Sequence, residues 1–279
     1  MFDKVEKLNS ATIQHGKAND RIYLMNIGNE PAQSLIDQME KLALRHSYTK
    51  LFCKIPKKFI TQFKKNNYQQ EAYIPKFYNG KENVSFMSKF LDTSRGILTN
   101  EEKKSIKQII NISNSKRDSF NPGKRNNFNF KILNEDDIPV LKKVYLTVFA
   151  SYPFPISQEN YLLETMNNNI IYFGAFYKGK LVSASSAEMD SNSSNVEMTD
   201  FATLPDYRGN SLSVILLDEM EKEMRKKDIK TAYTIARALS AGMNITFAKM
   251  NYTYTGTLIH NTNISGSIES MNIWFKNLV

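Results

Sequence analysis

The spacing of apolar residues switches between a period of two and a period near 3.6 along this 279-residue chain. From residue 128 onward, period-two runs predict strands, at 128–133, 170–177, 181–189, 196–202, 231–236, 252–260 and 269–275. Between them, apolar residues three or four apart predict helices, at 136–149, 157–166 with Ser157 as cap, 212–227 and 243–250. Alternating strands and helices of this kind predict an α/β fold built around a mixed sheet.

The first part of the chain resembles the end of the second. Residues 20–27 and 51–55 predict strands and 31–45 a helix; the sequence then reads Phe63-Lys64-Lys65-Asn66-Asn67-Tyr68, against Phe247-Ala248-Lys249-Met250-Asn251-Tyr252 at an offset of 247 − 63 = 184. Chance could produce so few identities, but we favour a duplication. It predicts a degenerate N-terminal domain (1–97), a helix at 99–111 within a connecting segment (98–127) that is polar from 113 onward, and a complete domain (128–279).

The loop at residues 203–213, Thr-Leu-Pro-Asp-Tyr-Arg-Gly-Asn-Ser-Leu-Ser, joins a predicted strand to a predicted helix. The first N–H groups of a helix have no partner within it, and the helix dipole attracts anions to the same place. Small side chains at Ser211 and Ser213 let a phosphate approach these amides, and Arg208 adds a suitable donor. An ordinary strand–turn–helix connection is the alternative; the surrounding elements favour phosphate binding.

A net charge of +9 and an isoelectric point near 9.3 raise the question of nucleic acid. The basic residues are dispersed and form no recognisable nucleic-acid motif, so attraction of a small polyanion is the preferred interpretation. The sequence shows no apolar run long enough to span a membrane and no signal peptide at its start. The single cysteine, Cys53, lies in an apolar strand and is predicted to be buried. These features favour a cytoplasmic protein.

With these residues in view, 128–279 resembles the GNAT acetyltransferase domain. That family carries Arg/Gln-x-x-Gly-x-Gly/Ala at the pyrophosphate of acetyl-CoA, and this chain has Arg208-x-x-Ser211-x-Ser213, with serine in place of both glycines. The whole chain is more narrowly similar to the β-lysine N-acetyltransferase family. The stretches that carry this similarity are 15–25 (HGKANDRIYLM), 71–78 (EAYIPKFY), 197–205 (EMTDFATLP) and 243–249 (MNITFAK).

The resemblance implies an acetyl-CoA-dependent transfer to the terminal (6-)amine of β-lysine, giving a compatible solute used in osmoadaptation. It implies Glu197 as general base, with Asp200 as second choice or as an anchor for a substrate ammonium. Strand alternation places Glu197 on one face with Thr199, and Asp200 on the other. The implied acetyl-CoA contacts are the backbone of Phe201, Ala202 and Thr203 as oxyanion donors, and Arg208, Gly209, Asn210, Ser211, Leu212 and Ser213 at the pyrophosphate.

One position departs from the family pattern, and the role of another stays open. Phe247 stands where many members have a tyrosine that protonates the leaving thiolate, so the acid is unassigned, with a weak preference for Tyr252. A thiolate with a pKa near 8.5 is also a tolerable leaving group without help. Asn244 could bind the pantetheine arm, or it could belong to the start of a helix.

A zwitterionic diamine needs further partners for its carboxylate and second amine. Lys17, Arg21 and Glu71 in the first half, together with Asp200, are the predicted substrate contacts, since a cleft between domains is a common site. No histidine spacing suggests a metal. The alternatives are a GNAT enzyme for another small amine (lysine, a polyamine or an aminoglycoside) and a non-catalytic CoA-sensing module. Either a monomer or a homodimer is compatible with the sequence.

Overall fold

A computed structural model of the chain describes residues 3–120 and 127–278. Residues 4–90 build a six-stranded sheet with two helices, and residues 128–277 build a seven-stranded sheet with four. The elements of the first half are β1 (Lys4–Leu8), β2 (Ala11–Gly16), β3 (Arg21–Asn26), α1 (Ala32–His46), β4 (Lys50–Pro56), α2 (Ile60–Lys65), β5 (Gln69–Tyr78) and β6 (Glu82–Phe90). The mixed α/β fold predicted from the sequence is confirmed.

Helix α3 (Asn100–Ser115) connects the two halves. The elements of the second half are β7 (Phe128–Ile132), α4 (Ile138–Val148), α5 (Glu159–Asn168), β8 (Ile170–Tyr177), β9 (Lys180–Asp190), β10 (Asn195–Thr203), α6 (Leu212–Lys226), β11 (Thr231–Arg237), α7 (Ala241–Lys249), β12 (Thr253–Ile264) and β13 (Ser267–Asn277). The described residues contain no helix that is long and apolar enough to cross a membrane.

Both sheets share one strand order. The first runs β1-β2-β3-β4-β6-β5, and the second runs β7-β8-β9-β10-β11-β13-β12, so the first matches the last six strands of the second. Each sheet has one parallel pair, β3 with β4 and β10 with β11, and a long helix crosses between its two strands. A parallel pair requires such a crossover. The shared order supports the duplication predicted from the sequence.

Strands β5 and β12 carry the same irregularities at equivalent positions. The pairing of β5 shifts between Gln70 and Ala72 and again between Ile74 and Tyr78. The pairing of β12 shifts between Tyr254 and Gly256 and again between Leu258 and Thr262, each time 184 positions later (256 − 72 = 184; 262 − 78 = 184). Residues Lys76 and His260, which are also 184 apart, both have positive φ. Because β-bulges are specific, retained features of a strand, these matches extend the likeness beyond the strand order.

The two halves pack through a shared apolar core between their sheets. Its buried side chains come from both sides, among them Phe52 and Phe86 from the first half and Leu258 and Ile273 from the second. At its edge, a Cβ built on Gly256 would lie 2.1 Å from the carbonyl oxygen of Glu71 and 2.8 Å from Cα of Ala72. Ala72 and Gly256 are the equivalent positions of the two halves, so the backbones meet at the pseudo-symmetric point of the fold.

A buried ion pair reinforces this contact. The Lys50 ammonium lies 3.0 Å from the Glu71 carboxylate and also donates to the carbonyl of Ile259 (2.7 Å). The other Glu71 oxygen accepts from the N–H of Ile259 at 2.7 Å. Burial of the ammonium lowers the pKa of Lys50 to about 8, while Glu71 opposes that change. A buried ion pair of this kind is stable only if its other donors and acceptors are also hydrogen-bonded.

Several predicted elements differ from the structure in their bounds. Strands β1 and β2 were not predicted, because their polar and apolar residues follow no simple alternation. Helix α3 runs four residues past the predicted end at 111, and Thr99 caps it through a reciprocal bond pair with Glu102. Helix α5 begins at Glu159 with Gln158 at its cap, so the predicted Ser157 cap is wrong. Part of the predicted polar segment, residues 121–126, lies outside the described residues. Cys53 is fully buried, as predicted.

Replacing Gly256 with alanine is expected to destabilise the protein. The added methyl group must push apart two backbones that are in contact, and overpacking of this kind costs about 1–3 kcal/mol. The control is Gly242→Ala in α7, where a Cβ meets no atom within 4 Å. Thermal unfolding of the two variants checks this: Gly256→Ala should melt several degrees lower, and equal melting temperatures would show that the contact is not tight.

Candidate active site

A cavity of about 110 Å³ lies between the two sheets, beside the shared core. Strands β2, β3 and β4 line it from the first half, and strands β8 to β13 from the second. The segment between α4 and α5, including Tyr152 and Phe154, covers another side. Most of the lining is aromatic or aliphatic, with a small set of charged groups, which is the usual composition of a small-molecule site.

Two glutamates face each other in this cavity. Glu188 on β9 and Glu197 on β10 are directly paired across the antiparallel ladder, which puts their Cβ atoms about 5 Å apart. Desolvation by the surrounding protein, followed by repulsion from Glu188, raises the pKa of Glu197 to about 8; Lys54 and the Tyr233 hydroxyl oppose this. Desolvation also raises the pKa of Glu188. The pair is therefore poised to hold a proton, or a cation, near neutral pH.

Asp200 joins the same cluster because β10 is bulged. The β9–β10 register shifts between Thr199 and Ala202, and Asp200 has φ 53°. Its carboxylate accepts hydrogen bonds from the Tyr152 hydroxyl and from Ser186 Oγ (2.5 Å). Burial raises the pKa of Asp200, while these two donors lower it. The expectation that Asp200 points away from Glu197 is wrong, since regular alternation does not hold across the bulge.

The backbone is open immediately beyond Glu197. Strands β10 and β11 pair in parallel only from Asn195 with Thr231 to Glu197 with Tyr233. From Met198 to Thr203 the β11 side of β10 has no paired strand within the described residues, so β10 and β11 diverge here. The gap between them is called the fork below. The predicted oxyanion donors Phe201, Ala202 and Thr203 lie on this stretch, and the bulge turns it. Unpaired amides held by a rigid strand can stabilise a developing oxyanion.

The loop before α6 has the geometry predicted for anion binding. Gly209 has φ 83° and Ser211 has φ 57°, which turns successive N–H groups outward. Within the described part of the chain, no acceptor bonds the N–H groups of residues 209–213; the first helical bonds are from Val214 and Ile215 to the carbonyl of Ser211. Arg208 is exposed, and its Nε lies 3.4 Å from the carbonyl of Thr203. Asn210 donates to the carbonyl of Tyr207, closing the turn.

Three sequence-predicted residues lie in the protein interior instead. The amide of Asn244 donates to the carbonyls of Arg237 and Ser240 and accepts from Asn272 and Trp274, so its four hydrogen bonds are all used within the protein. Of the two hypotheses for Asn244, the structure favours the one that places it at the start of a helix, here α7. Phe247 packs edge-on against Phe201 and Tyr252, and Tyr252 is fully buried.

The predicted substrate contacts separate into two groups. Arg21 and Asp200 line the cavity. Lys17 is about two-thirds exposed and donates to the carbonyl of Ser47, outside the cavity lining. Glu71 belongs to the buried ion pair with Lys50 that joins the halves. The expected cleft between the two domains grouped these four residues, but only two of them line the cavity.

Sequence reasoning missed several residues of the lining. Glu188, Lys54 and Tyr233 come from three different strands and Tyr152 from the segment between α4 and α5, and no local spacing connects them. One signal was available for Glu188: it is a carboxylate at the end of a hairpin strand that pairs with the strand bearing Glu197. No group of three or more histidine, cysteine or carboxylate side chains in the described ranges is arranged to hold a metal ion.

Part of the chain matches a known protein family. Residues 141–245 match the Acetyltransferase (GNAT) family, covering most of α4 through α7. The ribosomal-protein-S18-alanine N-acetyltransferase of Escherichia coli aligns over 54% of this chain and 94% of its own, with 15% identity and a TM-score of 0.48.

Relatives of nearly the same length define the group more narrowly. A β-lysine N(6)-acetyltransferase from Methanococcus maripaludis is 41% identical over 99% of both chains. Another, from Methanosarcina mazei, is 32% identical over 76% of this chain and 84% of its own. The chain belongs to the β-lysine N(6)-acetyltransferase family of GNAT enzymes.

The raised pKa of Glu197 leads to a prediction about stability. A carboxyl group whose pKa rises from 4.5 to about 8 on folding contributes stability that is complete below pH 4.5 and is lost as the pH rises through 8. Glu197→Gln removes the buried charge, so it should melt higher than the wild type at pH 9 and match it more closely at pH 4.5. Scanning calorimetry at both pH values measures this; a variant less stable than the wild type at pH 9 contradicts it.

Proposed function

We propose that the protein transfers an acetyl group from acetyl-CoA to the 6-amine of β-lysine. The observation that carries the proposal is the position of the carboxylate cluster of Glu188, Glu197 and Asp200 at the fork between β10 and β11. That cluster attracts a cationic amine to the place where unpaired backbone can hold a thioester. The names of the two β-lysine N(6)-acetyltransferase relatives support the choice of amine.

The donor side fits acetyl-CoA. The bare amides at residues 209–213, the dipole of α6 and Arg208 together suit a diphosphate. Serine at 211 and 213 keeps this approach open, although each serine replaces the glycine of the family pattern. When bound, acetyl-CoA supplies the acetyl group as an activated thioester.

The acceptor amine must lose a proton before it can attack. A lysine-type amine has a pKa near 10.4, so at pH 7 the neutral form costs about 4.6 kcal/mol (3.4 units at 1.36 each). We assign Glu197 as the base, because its raised pKa reduces the mismatch with the amine. Glu188 directly opposite holds the ammonium in place and keeps the Glu197 proton affinity high. Asp200, fixed by Tyr152 and Ser186, anchors the same end of the substrate.

After attack, negative charge develops on the former carbonyl oxygen. The amides of Phe201, Ala202 and Thr203, which line the fork, are the donors for it. No general acid is assigned for the thiolate. Tyr252 is fully buried beside Glu221, outside the lining of the amine cavity. With a pKa near 8.5, the thiolate leaves without a proton donor.

The chemistry of the product fits a cellular role. Acetylation removes one of the two positive charges of β-lysine and leaves an internally neutral zwitterion. We propose that this product serves as a compatible solute in osmoadaptation and that the reaction takes place in the cytoplasm, as the family resemblance implies.

The pH dependence of kcat/KM tests the base. Productive binding needs Glu197 ionised, so that it can accept a proton, and the free amine protonated, so that the carboxylates attract it. The value of kcat/KM should therefore rise with pH through a limb near pH 8 and fall above about pH 10. Glu197→Gln should lose the limb near 8 and fall by roughly 10²–10⁴-fold at pH 7. The matched control is Glu101→Gln, on the exposed first turn of α3. A Glu197→Gln profile that keeps the wild-type limb would contradict the assignment.

Ser211→Glu tests the diphosphate site. A carboxylate at this exposed position repels the diphosphate and obstructs the amides, so KM for acetyl-CoA should rise at least ~10-fold, with kcat changed much less. Ser34→Glu on the exposed first turn of α1 introduces the same charge at another helix start. Initial rates over a range of acetyl-CoA measure this. If both variants keep the wild-type KM, the diphosphate lies elsewhere.

A further inference from the structure

Three buried polar atoms in the amine cavity have no hydrogen-bond partner among the described residues. They are Gln14 Oε1, Arg21 Nε and Asn261 Oδ1, and all three residues line the cavity. Gln14 and Asn261 are 1% exposed and Arg21 is 4% exposed. Buried polar atoms in folded proteins are nearly always bonded, so three orphans in one cavity indicate groups that await a ligand.

Their neighbours fix the direction in which each orphan points. The Gln14 amide nitrogen donates to the carbonyl of Pro153 (3.3 Å), which leaves its oxygen free. One terminal nitrogen of Arg21 donates to the carbonyl of Asn261 and to Thr262 Oγ1 (3.1 Å). That leaves the Nε edge of the guanidinium for another acceptor. The guanidinium also lies over the adjacent rings of Tyr23 (5.4 Å) and Phe52 (5.5 Å).

The cavity has opposite charges at its two ends. Arg21, Tyr23 and Met25 follow each other on one face of β3, with about 6.7 Å between alternate residues. Tyr23 interacts electrostatically with Arg21 and also with Glu197 and Glu188. The cavity therefore runs from a buried guanidinium, past an aromatic middle, to the carboxylate cluster, where Lys54 partly offsets the negative charge. Its orphans comprise one donor, on Arg21, and two acceptors. Asn261 contacts Arg21 through its backbone carbonyl, and Gln14 pairs with Tyr23 across the β2–β3 ladder.

We propose that this Arg21 end is the subsite that recognises the amino-acid end of the acceptor. Arg21 binds the substrate carboxylate, and the oxygens of Gln14 and Asn261 accept hydrogen bonds from its 3-ammonium group. The inference rests on the proposed function, because it assumes that the reacting 6-amine lies at Glu197. It gives the N-terminal half a direct part in substrate selection, since Gln14 and Arg21 both belong to that half.

This arrangement explains how a 3-amine can be distinguished from a 2-amine. The donor and the two acceptors are fixed relative to each other by Pro153, Thr262 and the two rings. Moving the ammonium one carbon nearer to the carboxylate pulls it away from the two amide oxygens when the carboxylate stays on Arg21. A buried acceptor that loses its partner in this way costs much of the binding energy.

The contact between Gln14 and the 3-ammonium group is tested by removing the amide from the protein or the 3-amine from the substrate. Wild type and Gln14→Met are compared on β-lysine and on 6-aminohexanoate, which keeps the carboxylate and the terminal amine but lacks the 3-amine. Gln14→Met should lower kcat/KM for β-lysine on the order of 10- to 100-fold, mainly through KM, and leave 6-aminohexanoate unchanged. The control Gln69→Met, on the exposed start of β5, should change neither.

The contact between Arg21 and the substrate carboxylate is tested in the same way with 1,4-diaminopentane, which is β-lysine without its carboxylate. Arg21→Gln removes the charge and keeps an amide donor. It should lower kcat/KM for β-lysine by about 10- to 100-fold and leave the rate with 1,4-diaminopentane unchanged. The shift in melting temperature on adding acetyl-CoA, measured for each variant, reports whether the folded donor site is retained.

The outcomes distinguish failure of the subsite from failure of the proposed function. If wild type acetylates β-lysine but each variant loses the same factor on the truncated compound, the subsite is wrong and the proposed function stands. The same holds if the variants lose nothing on β-lysine. If folded wild type, stabilised by acetyl-CoA, acetylates none of the three amines, the proposed function fails and the subsite fails with it.

Discussion

The close approach of two backbones at Ala72 and Gly256 sets the geometry on which the rest of the structure depends. Because no side chain beyond a methyl group separates them, the two sheets come near enough to share an apolar core. The buried Lys50–Glu71 pair, which also binds the backbone of Ile259, fixes the same contact in one register. The cavity between the sheets has its shape because this spacing is fixed.

Electrostatics within the cavity follow from that packing. Protein on both sides removes water from Glu188 and Glu197, and the sheet register places them opposite each other. In such surroundings a carboxylate keeps a high proton affinity until a cation arrives. The same enclosure buries Arg21 at the other end, so the cavity is matched to a molecule with amines and a carboxylate at its ends.

The parts of the fold and site that depend on residues close together in the chain could be predicted from the sequence. Hydrophobic periodicity located most strands and helices, and the loop of small residues before α6 was recognisable from Arg208 to Ser213. The equivalence of α2 and α7 was visible as the offset of 184 between residues 63–68 and 247–252.

The rest depends on pairing between distant segments. A regular strand has strict alternation, so the bulge that turns Asp200 toward Glu197 was not predictable from the residues of β10 alone. Glu188 acquires its role from the register with β10, and Gln14 from a strand that was not predicted. Lys17 and Glu71 lie outside the cavity lining, because Lys17 binds the carbonyl of Ser47 and Glu71 binds Lys50.

The most direct test of the central claim, that both halves form one amine site, is a crystal structure of the protein with CoA and β-lysine. The 6-amine is expected between Glu197 and the CoA sulfur at the β10–β11 fork, and the carboxylate is expected against Arg21 of the first half. A β-lysine molecule bound only by residues of 128–279, with the space beside Arg21 holding nothing but water, would contradict it.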